Sequence, residues 1–223
     1  MATETLLRLQ DADAVLAIKQ AFAPDGGAER EHNASAGTLG FGALHHSLIA
    51  NLRPRRALVI GSRYGFVPAV AGLAMLENGC GELDFVDANY DDGVHGFKVA
   101  FGGVGHWSAP GCDRLSDMGL GAVVHVHVMR SEHFFADCTS TYNYIYLDGD
   151  HSYDGCSYDF EQAEKLAAPG ALIVLHDVLV SEPGFGVGRL FASLDPERYD
   201  KIVIRPWPGL GLVQPRHPAG NPP

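Results

Sequence analysis

The sequence of 223 residues has little cysteine, little positive charge and no long apolar run. Its four cysteines are widely spaced and form no Cys-x-x-Cys pair, which argues against a zinc ribbon or a dithiol redox site. Lys and Arg number 16 against 27 Asp and Glu, for a formal net charge of −11. We therefore expect no broad nucleic-acid or anionic-membrane surface, and a small or neutral partner is favoured.

No apolar stretch approaches the roughly 18 residues of a membrane span. The amino terminus also lacks the basic and apolar regions of a secretory signal. We expect a cytoplasmic protein that is not held in a membrane, and a homo-oligomer stays open as an alternative to a monomer. The apolar share of 46% can fill a core, and the length fits one large α/β domain.

Short apolar runs alternate with helix-like segments from residue 55 onwards, which is typical of an α/β fold with a parallel sheet. The predicted strands are 56–61, 82–87, 123–129, 142–148 and 171–176, followed by a hairpin at 201–204 and 210–213. The helix before the fifth strand should stop at Pro169-Gly170. We predict a helical cap at 1–54 with an irregular stretch at 28–42, a core at 55–214, an irregular functional loop region at 91–121, and a disordered tail at 215–223.

The first predicted strand runs into the turn Gly61-Ser62-Arg63-Tyr64-Gly65. Glycines there let backbone approach a ligand closely, and the helix that follows offers free N–H groups. The turn is not Gly-x-Gly-x-x-Gly, so a dinucleotide pyrophosphate is disfavoured and a ligand without phosphates is favoured. The alternative is that the two glycines only allow tight packing of strand on helix.

Two later positions suit the ribose and the base of a nucleoside. Asp87 ends the second strand about 25 residues beyond the first turn, near the roughly 20-residue offset of ribose-binding acids. Its alternatives are a solvated loop acid or a cap for a helix starting near Tyr90. Arg130 and Ser131 follow the third strand and could line an adenine site, although Ser131 is equally suited to cap the next helix.

The fourth and fifth strands each end in carboxylate and imidazole groups. Because carboxyl ends of neighbouring parallel strands meet at one edge of a sheet, these side chains should share a crevice. The groups concerned are Asp148, Asp150, His151, His176 and Asp177.

From about His45 to Val213 the chain resembles a class I S-adenosylmethionine-dependent methyltransferase. Residues 56–65, 85–87 and 169–174 resemble that superfamily's first motif, its ribose-binding strand end and its late Pro-Gly turn. LDGDHSYDG at 147–155, with LHDV at 175–178, is similar to the branch of macrolide sugar O-methyltransferases and cephalosporin-hydroxylase-like proteins. The resemblance implies a Rossmann-like α/β fold, with a mostly parallel seven-stranded sheet and helices on both faces.

The resemblance also implies a site. The predicted cofactor contacts are Gly61, Ser62, Tyr64, Gly65, Asp87, Ala88, Arg130, Ser131 and Asp148. Asp148 and Asp177 would bind Mg²⁺ or Mn²⁺, ions that carboxylates suit and that lower the pKa of a coordinated hydroxyl. His151 is the candidate general base, since an imidazole of near-neutral pKa can take the proton.

Catechol-type relatives place an Asn directly after the late Asp, where this chain has Val178. The third protein ligand therefore stays open among Asp150, His151, His176 and Asp159, with His176 better interpreted as a core histidine bonded to a carbonyl.

Three of the nine histidines other than His151 and His176 bear on the predicted site. His106 is a secondary catalytic candidate beside Trp107, in a loop that either binds the acceptor or folds over its own tryptophan. His125 and His127 alternate with valines, which favours a strand face over metal ligation.

The reaction that the resemblance implies is O-methylation of a small acceptor, with a sugar or other polyhydroxylated natural product as the analogy. Two alternatives use the same scaffold: a hydroxylase-like protein and a cofactor-binding accessory protein without turnover. A nicotinamide-dependent dehydrogenase is the least supported.

Overall fold

The chain folds around a seven-stranded sheet with strand order β3-β2-β1-β4-β5-β7-β6. The computed structural model describes residues 12–23, 26–35, 37–89, 106–108 and 114–216. β7 is antiparallel to both of its neighbours and the other pairings are parallel. The strands are β1 Arg56–Ile60, β2 Glu82–Asp87, β3 Val124–Val128, β4 Tyr142–Leu147, β5 Ala167–Leu175, β6 Tyr199–Ile204 and β7 Leu210–Pro215. The predicted fold class is confirmed.

Helices cover both faces of this sheet. They are α1 Ala12–Phe22, α2 Gly27–Glu31, α3 Phe41–Leu52, α4 Phe66–Asn78, α5 Arg114–Asp117, α6 Ser131–Asp137, α7 Tyr153–Leu166 and α8 Val187–Ser193, with a 3₁₀ turn at His106–Ser108. In the part of the chain that the structure describes, no helix is long and apolar enough to cross a membrane.

The central strands are buried on both faces, which is why they lack hydrophobic alternation. In β1, Ala57 and Val59 join the core beneath α1, α3 and α4, whereas Leu58 and Ile60 join the core beneath α6, α7 and α8. Alternate residues of a strand point to opposite faces of the sheet, so each central strand contributes side chains to both cores. The carboxyl ends of these strands are thereby fixed from both sides.

The structure corrects four sequence-based boundaries. α7 ends at Leu166, and Pro169-Gly170 lies inside β5, where the β4–β5 pairing shifts register and Gly170 has a φ of 75°. The stretch expected to be irregular at 28–42 contains most of α2, and α5 lies within the loop region expected at 91–121. β7 extends to Pro215, the first residue of the expected tail, and residues 217–223 lie outside the described residues.

The N-terminal segment is tied to the edge of the sheet where β5 ends. Asn33 Nδ2 donates to the carbonyl oxygen of Trp207 at 2.6 Å, in the loop between β6 and β7. The same loop accepts a hydrogen bond from the segment after β5, because Val178 N donates to the Gly209 carbonyl oxygen at 3.4 Å. The segment that contains Asn33 therefore lies beside the carboxyl end of β5.

A buried carboxylate in β2 joins four elements. Asp84 accepts from the Tyr142 hydroxyl at 2.9 Å and from Arg56 at 3.2 Å, and its Oδ1 lies 2.8 Å from Nε2 of His127. Burial alone would raise the pKa of Asp84, but these bonds lower it below its usual value. His127 therefore belongs to a structural network, in agreement with the strand-face interpretation.

Replacing Asp84 by asparagine is expected to lower the free energy of unfolding by about 2–4 kcal/mol, since it leaves the buried Tyr142 hydroxyl and the half-buried Arg56 and His127 without a carboxylate. The lowered pKa means that the wild-type contribution is present above the ordinary carboxylate pKa and is lost as pH falls through the folded-state value. Urea unfolding at pH 7 and at acid pH measures both. Glu82→Gln, on the exposed start of the same strand, is the control and should change stability by less than about 0.5 kcal/mol.

Candidate active site

The site lies where β4 and β5 end. Nε2 of His151 lies 3.3 Å from Oδ1 of Asp148 and 3.0 Å from Oδ2 of Asp177. Nδ1 of His176 lies 3.4 Å from Oδ1 of Asp148 and 2.9 Å from Oδ1 of Asp177. The Tyr146 hydroxyl donates to Oδ2 of Asp148 at 3.0 Å. The structure thus brings together the two predicted metal ligands and the predicted base.

The segment between Asp148 and α7 is built to hold His151 in place. Asp150 Oδ1 accepts from Ser152 N at 2.8 Å, an Asx turn, and Ser152 in turn caps α7 by accepting from Gly155 N at 3.1 Å. Gly186 N donates to the carbonyl oxygen of His151 at 2.6 Å. Asp150 is therefore a turn residue here and not a member of the triad that Asp148, His151 and Asp177 form.

Asp177 has a positive φ of 61°, which a non-glycine residue adopts only when its surroundings hold it there. Such strain concentrates at functional sites, and here it accompanies a carboxylate that faces two imidazoles. The sequence pattern contained no sign of this conformation.

The carboxylates of Asp148 and Asp177 lie close together and are largely buried, so their negative charges require compensation. Burial would lower the pKa of His151, but hydrogen bonds to Asp148 and Asp177 raise it to about 9. The pKa of His176 is also raised, against its burial, by the charges of the same two carboxylates. The near-neutral pKa expected for His151 therefore does not hold in this arrangement, because the imidazole carries the proton that balances the carboxylates.

Ligand atoms of Asp148, His151 and Asp177 all lie within 4.8 Å of one another, which fits a divalent cation. The set offers two carboxylates and one imidazole, and Mn²⁺ accepts both donor types. Of the other open candidates, Asp159 is buried within α7, and burial raises its pKa to about 7. His176 is buried as expected, but its Nδ1 faces the carboxylates, so it belongs to the site.

The turn after β1 touches this site directly. Gly61 has a φ of 72°, and a Cβ atom on it would lie 2.2 Å from the carbonyl oxygen of Asp148. Gly61 allows close packing of β1 against β4, as the packing interpretation of the turn expects. It also places the turn next to Asp148, so the ligand-binding interpretation stays open. Ser62 Oγ accepts from Val67 N at 3.1 Å and so caps the start of α4.

Gly61→Ala is expected to lower the free energy of unfolding by about 3–5 kcal/mol, because it adds a clash with backbone to a strained φ. Gly79→Ala is the matched control: Gly79 has a φ of 65° with nothing within 4 Å of the added Cβ, so only about 1–2 kcal/mol should be lost. Chemical denaturation measures both, and equal losses would contradict the contact between the turn and Asp148.

Asp87, the predicted ribose ligand, is 2% exposed at the end of β2. Its Oδ1 accepts from Asn89 N at 2.7 Å, and Ser62 N approaches its Oδ2 at 3.5 Å. This excludes the solvated-acid alternative, and Tyr90, where the capped helix was expected, lies outside the described residues. Ala88 is half-buried beside it.

The two residues predicted to line an adenine site lie at the start of α6. Arg130, not Ser131, occupies the N-cap position, and Ser131 is the first helical residue, which corrects the capping alternative. The guanidinium of Arg130 donates to the Glu132 carboxylate at 2.6 and 3.1 Å. Arg130 and Ser131 therefore lie just beyond the end of β3, where α6 begins.

His106 lies against the turn after β1. Its ring is 5.3 Å from that of Tyr64 and 4.9 Å from that of Trp107, both edge-on. Burial, followed by the charge of Arg114, lowers its pKa. The position favours a role beside the predicted methionine end over one in proton transfer at the triad.

Sequence reasoning missed His32, between α2 and α3. Its ring lies 5.1 Å from that of His176 and 4.8 Å from that of Phe66. It is 5% exposed, and its Nδ1 has no hydrogen-bond partner among the residues that the structure describes. Burial, with the charge of His176 second, lowers its pKa to about 3, so the imidazole is neutral. Its segment has no hydrophobic period, which left no signal to find it.

Solved methyltransferases share this architecture. The O-methyltransferase TomG from Streptomyces achromogenes, involved in tomaymycin synthesis and solved with S-adenosylmethionine, has a TM-score of 0.63 and 19% identity, covering 96% of this chain and 94% of TomG. An O-methyltransferase from Bacillus cereus, in complex with S-adenosylhomocysteine, has a TM-score of 0.63 and 17% identity, covering 91% and 90%. At such identities the likeness establishes the fold.

The sequence itself supplies the family. No curated protein matches the chain. Residues 58–178, more than half of the chain, match the family described as Methyltransferase domain. This span runs from β1 through the Gly61 turn, Asp87 and the triad to the residue after Asp177. The chain belongs to the methyltransferase domain family and is a class I S-adenosylmethionine-dependent methyltransferase.

Proposed function

We propose that this enzyme methylates a hydroxyl oxygen of a small polyhydroxylated or natural-product acceptor, assisted by Mg²⁺ or Mn²⁺ at Asp148 and Asp177. The observation that carries the proposal is the contact between the turn after β1 and Asp148, through the backbone of Gly61. This contact supports the proposal because a methyl donor bound on the turn would lie beside a cation held by the two carboxylates, close to an acceptor oxygen on that cation.

In this proposal the cofactor lies along the carboxyl ends of β1, β2 and β3. Residues 61–65 hold the methionine end and Asp87 accepts from the ribose hydroxyls, a role that its position at the end of β2 supports. Ala88, Arg130 and Ser131 line the adenine, and the backbone at Asp148 closes the site.

S-adenosylmethionine held by residues 61–65 and Asp87 would supply the methyl group, whose bond to sulfur would break as the bond to the acceptor oxygen forms, giving S-adenosylhomocysteine and a methyl ether. The hydroxyl proton would pass to Nε2 of His151, which in this proposal is the base and not a ligand of the cation. A bound divalent cation would balance the carboxylates and lower the pKa of the acceptor hydroxyl. With the carboxylates balanced, the cause of the raised His151 pKa is removed, and a neutral imidazole can act as base.

The acceptor lies in this proposal beneath the N-terminal cap. The neutral ring of His32 packs against His176 and Phe66 in tilted orientations, and it carries a buried nitrogen without a partner among the described residues. Such a nitrogen can bond an acceptor hydroxyl, which suits a polar, hydroxylated molecule. TomG, of like fold, takes part in tomaymycin synthesis, and this supports a natural-product acceptor by analogy.

Transfer of an isotopically labelled methyl group tests the proposal. The protein, with labelled S-adenosylmethionine and Mn²⁺, is incubated with a panel of sugars, phenols and catechols. We expect label in a methyl ether of at least one acceptor, and loss of transfer when a chelator is added. Label on carbon or nitrogen, or transfer that the chelator leaves unchanged, would contradict the proposed chemistry. An absence of any transfer while the cofactor binds would favour the accessory alternative.

A further inference from the structure

Trp107 joins the two halves of the proposed cofactor site. Its indole Nε1 donates to the carbonyl oxygen of Arg63 at 2.7 Å, within the turn after β1. Its backbone N donates to Oδ1 of Asn89 at 2.9 Å, just beyond β2. One residue of the 3₁₀ turn is thus bonded to both segments that the cofactor would span.

The indole ring also fills the space that Gly65 leaves. A Cβ atom on Gly65 would lie 2.9 Å from two carbons of the ring. On its other side the ring meets Phe85 of β2 edge-on, with centroids 5.0 Å apart. Gly65 is therefore needed for Trp107, and the indole is fixed by packing as well as by hydrogen bonds.

Both residues that Trp107 bonds have left-handed backbones. Arg63 has a φ of 49° and Asn89 one of 54°. This conformation costs free energy for most non-glycine residues, Arg63 among them, and Asn89 tolerates it better; Trp107 supplies a bond to each. From Asn89 the connection reaches Asp87, whose Oδ1 accepts from Asn89 N at 2.7 Å.

We propose that Trp107 is a positioning residue for the cofactor, which fixes the Gly61–Gly65 turn and Asp87 in a single geometry. The inference rests on the proposed use of these residues for cofactor binding. It gives the 3₁₀ turn a function that does not require contact with the acceptor.

The test compares the two tryptophans of the chain. Trp107→Phe keeps a ring in the same place but removes the indole N–H, and Trp207→Phe is the matched control on the exposed β6–β7 loop. Binding of S-adenosylhomocysteine is measured by calorimetry, and unfolding of the free proteins by heat. We expect the Kd to rise about tenfold in Trp107→Phe and to stay within twofold of wild type in Trp207→Phe.

Fluorescence supplies a second readout, since each variant retains one tryptophan. S-adenosylhomocysteine should change the emission of Trp107 in the Trp207→Phe protein and leave that of Trp207 in the Trp107→Phe protein unchanged. If Trp107→Phe does not fold, Asn89→Gly is the deciding variant. Glycine tolerates the φ of 54°, but the acceptor for the backbone N–H of Trp107 is lost. The Kd for S-adenosylhomocysteine should then rise severalfold.

A lower melting temperature with an unchanged Kd would overturn the positioning role and leave the proposed function standing. If the Trp207→Phe and wild-type proteins fail to bind S-adenosylhomocysteine, the proposed cofactor site and this inference fall together.

Discussion

The Asp177→Asn variant is expected to bind Mn²⁺ at least about a hundredfold more weakly than wild type. Methyl transfer should fall by about two to three orders of magnitude, because one of the two carboxylates at the cation site is lost. Asparagine is nearly isosteric and is among the non-glycine residues that best tolerate the φ of 61°. The fold should therefore survive, and binding of S-adenosylhomocysteine should change little.

Titration calorimetry with Mn²⁺ and with S-adenosylhomocysteine separates these effects. Asp150→Asn is the matched control, since its carboxylate lies in the adjoining turn but bonds only to Ser152 N in the described structure. It should leave the Mn²⁺ affinity within twofold of wild type. Equal Mn²⁺ affinity in the wild-type and Asp177→Asn proteins would remove Asp177 from the metal site.

The Asp87→Asn variant is expected to bind S-adenosylhomocysteine about a hundredfold more weakly. The carboxylate would accept two ribose hydroxyls, and hydrogen bonds to a charged group contribute about 1.5–3 kcal/mol each, where 1.4 kcal/mol is a factor of ten. Burial of Asp87 to 2% exposure keeps water from replacing the lost acceptor.

Asp84→Asn is the control for this variant, because Asp84 lies on the same strand but its bonds are to Arg56, His127 and Tyr142. It should lower stability and leave the affinity for S-adenosylhomocysteine within twofold of wild type. A Kd for Asp87→Asn within threefold of the wild-type value would show that the ribose is held elsewhere.

The strand ends were predictable because buried parallel strands are apolar runs, and a run that stops at Asp or His marks the edge where sites form. This simple pattern located Asp87, Asp148, His151 and Asp177. The start of β5 was not predictable, since Pro169-Gly170 is a normal signal for the end of a helix. Only pairing with β4 accommodates both residues inside a strand, through a register shift.

Two residues of the site region depend on contacts between distant segments. His32 meets His176 across 144 positions of the chain, and Trp107 meets Arg63 across 44. Neither lies in a segment with hydrophobic periodicity, so nothing local distinguishes them from loop residues. The raised pKa of His151 is likewise a product of two carboxylates brought together by the sheet.

Diffraction from crystals grown with S-adenosylhomocysteine and Mn²⁺, measured at the manganese absorption edge, tests the central claim most directly. We predict one anomalous peak within bonding distance of the Asp148 and Asp177 carboxylates, with the cofactor sulfur facing it and the adenosine ribose on Asp87. The same map would show whether His151 bonds the ion or stays free as the base. A bound cofactor without a manganese peak between Asp148 and Asp177 would contradict the metal-assisted mechanism.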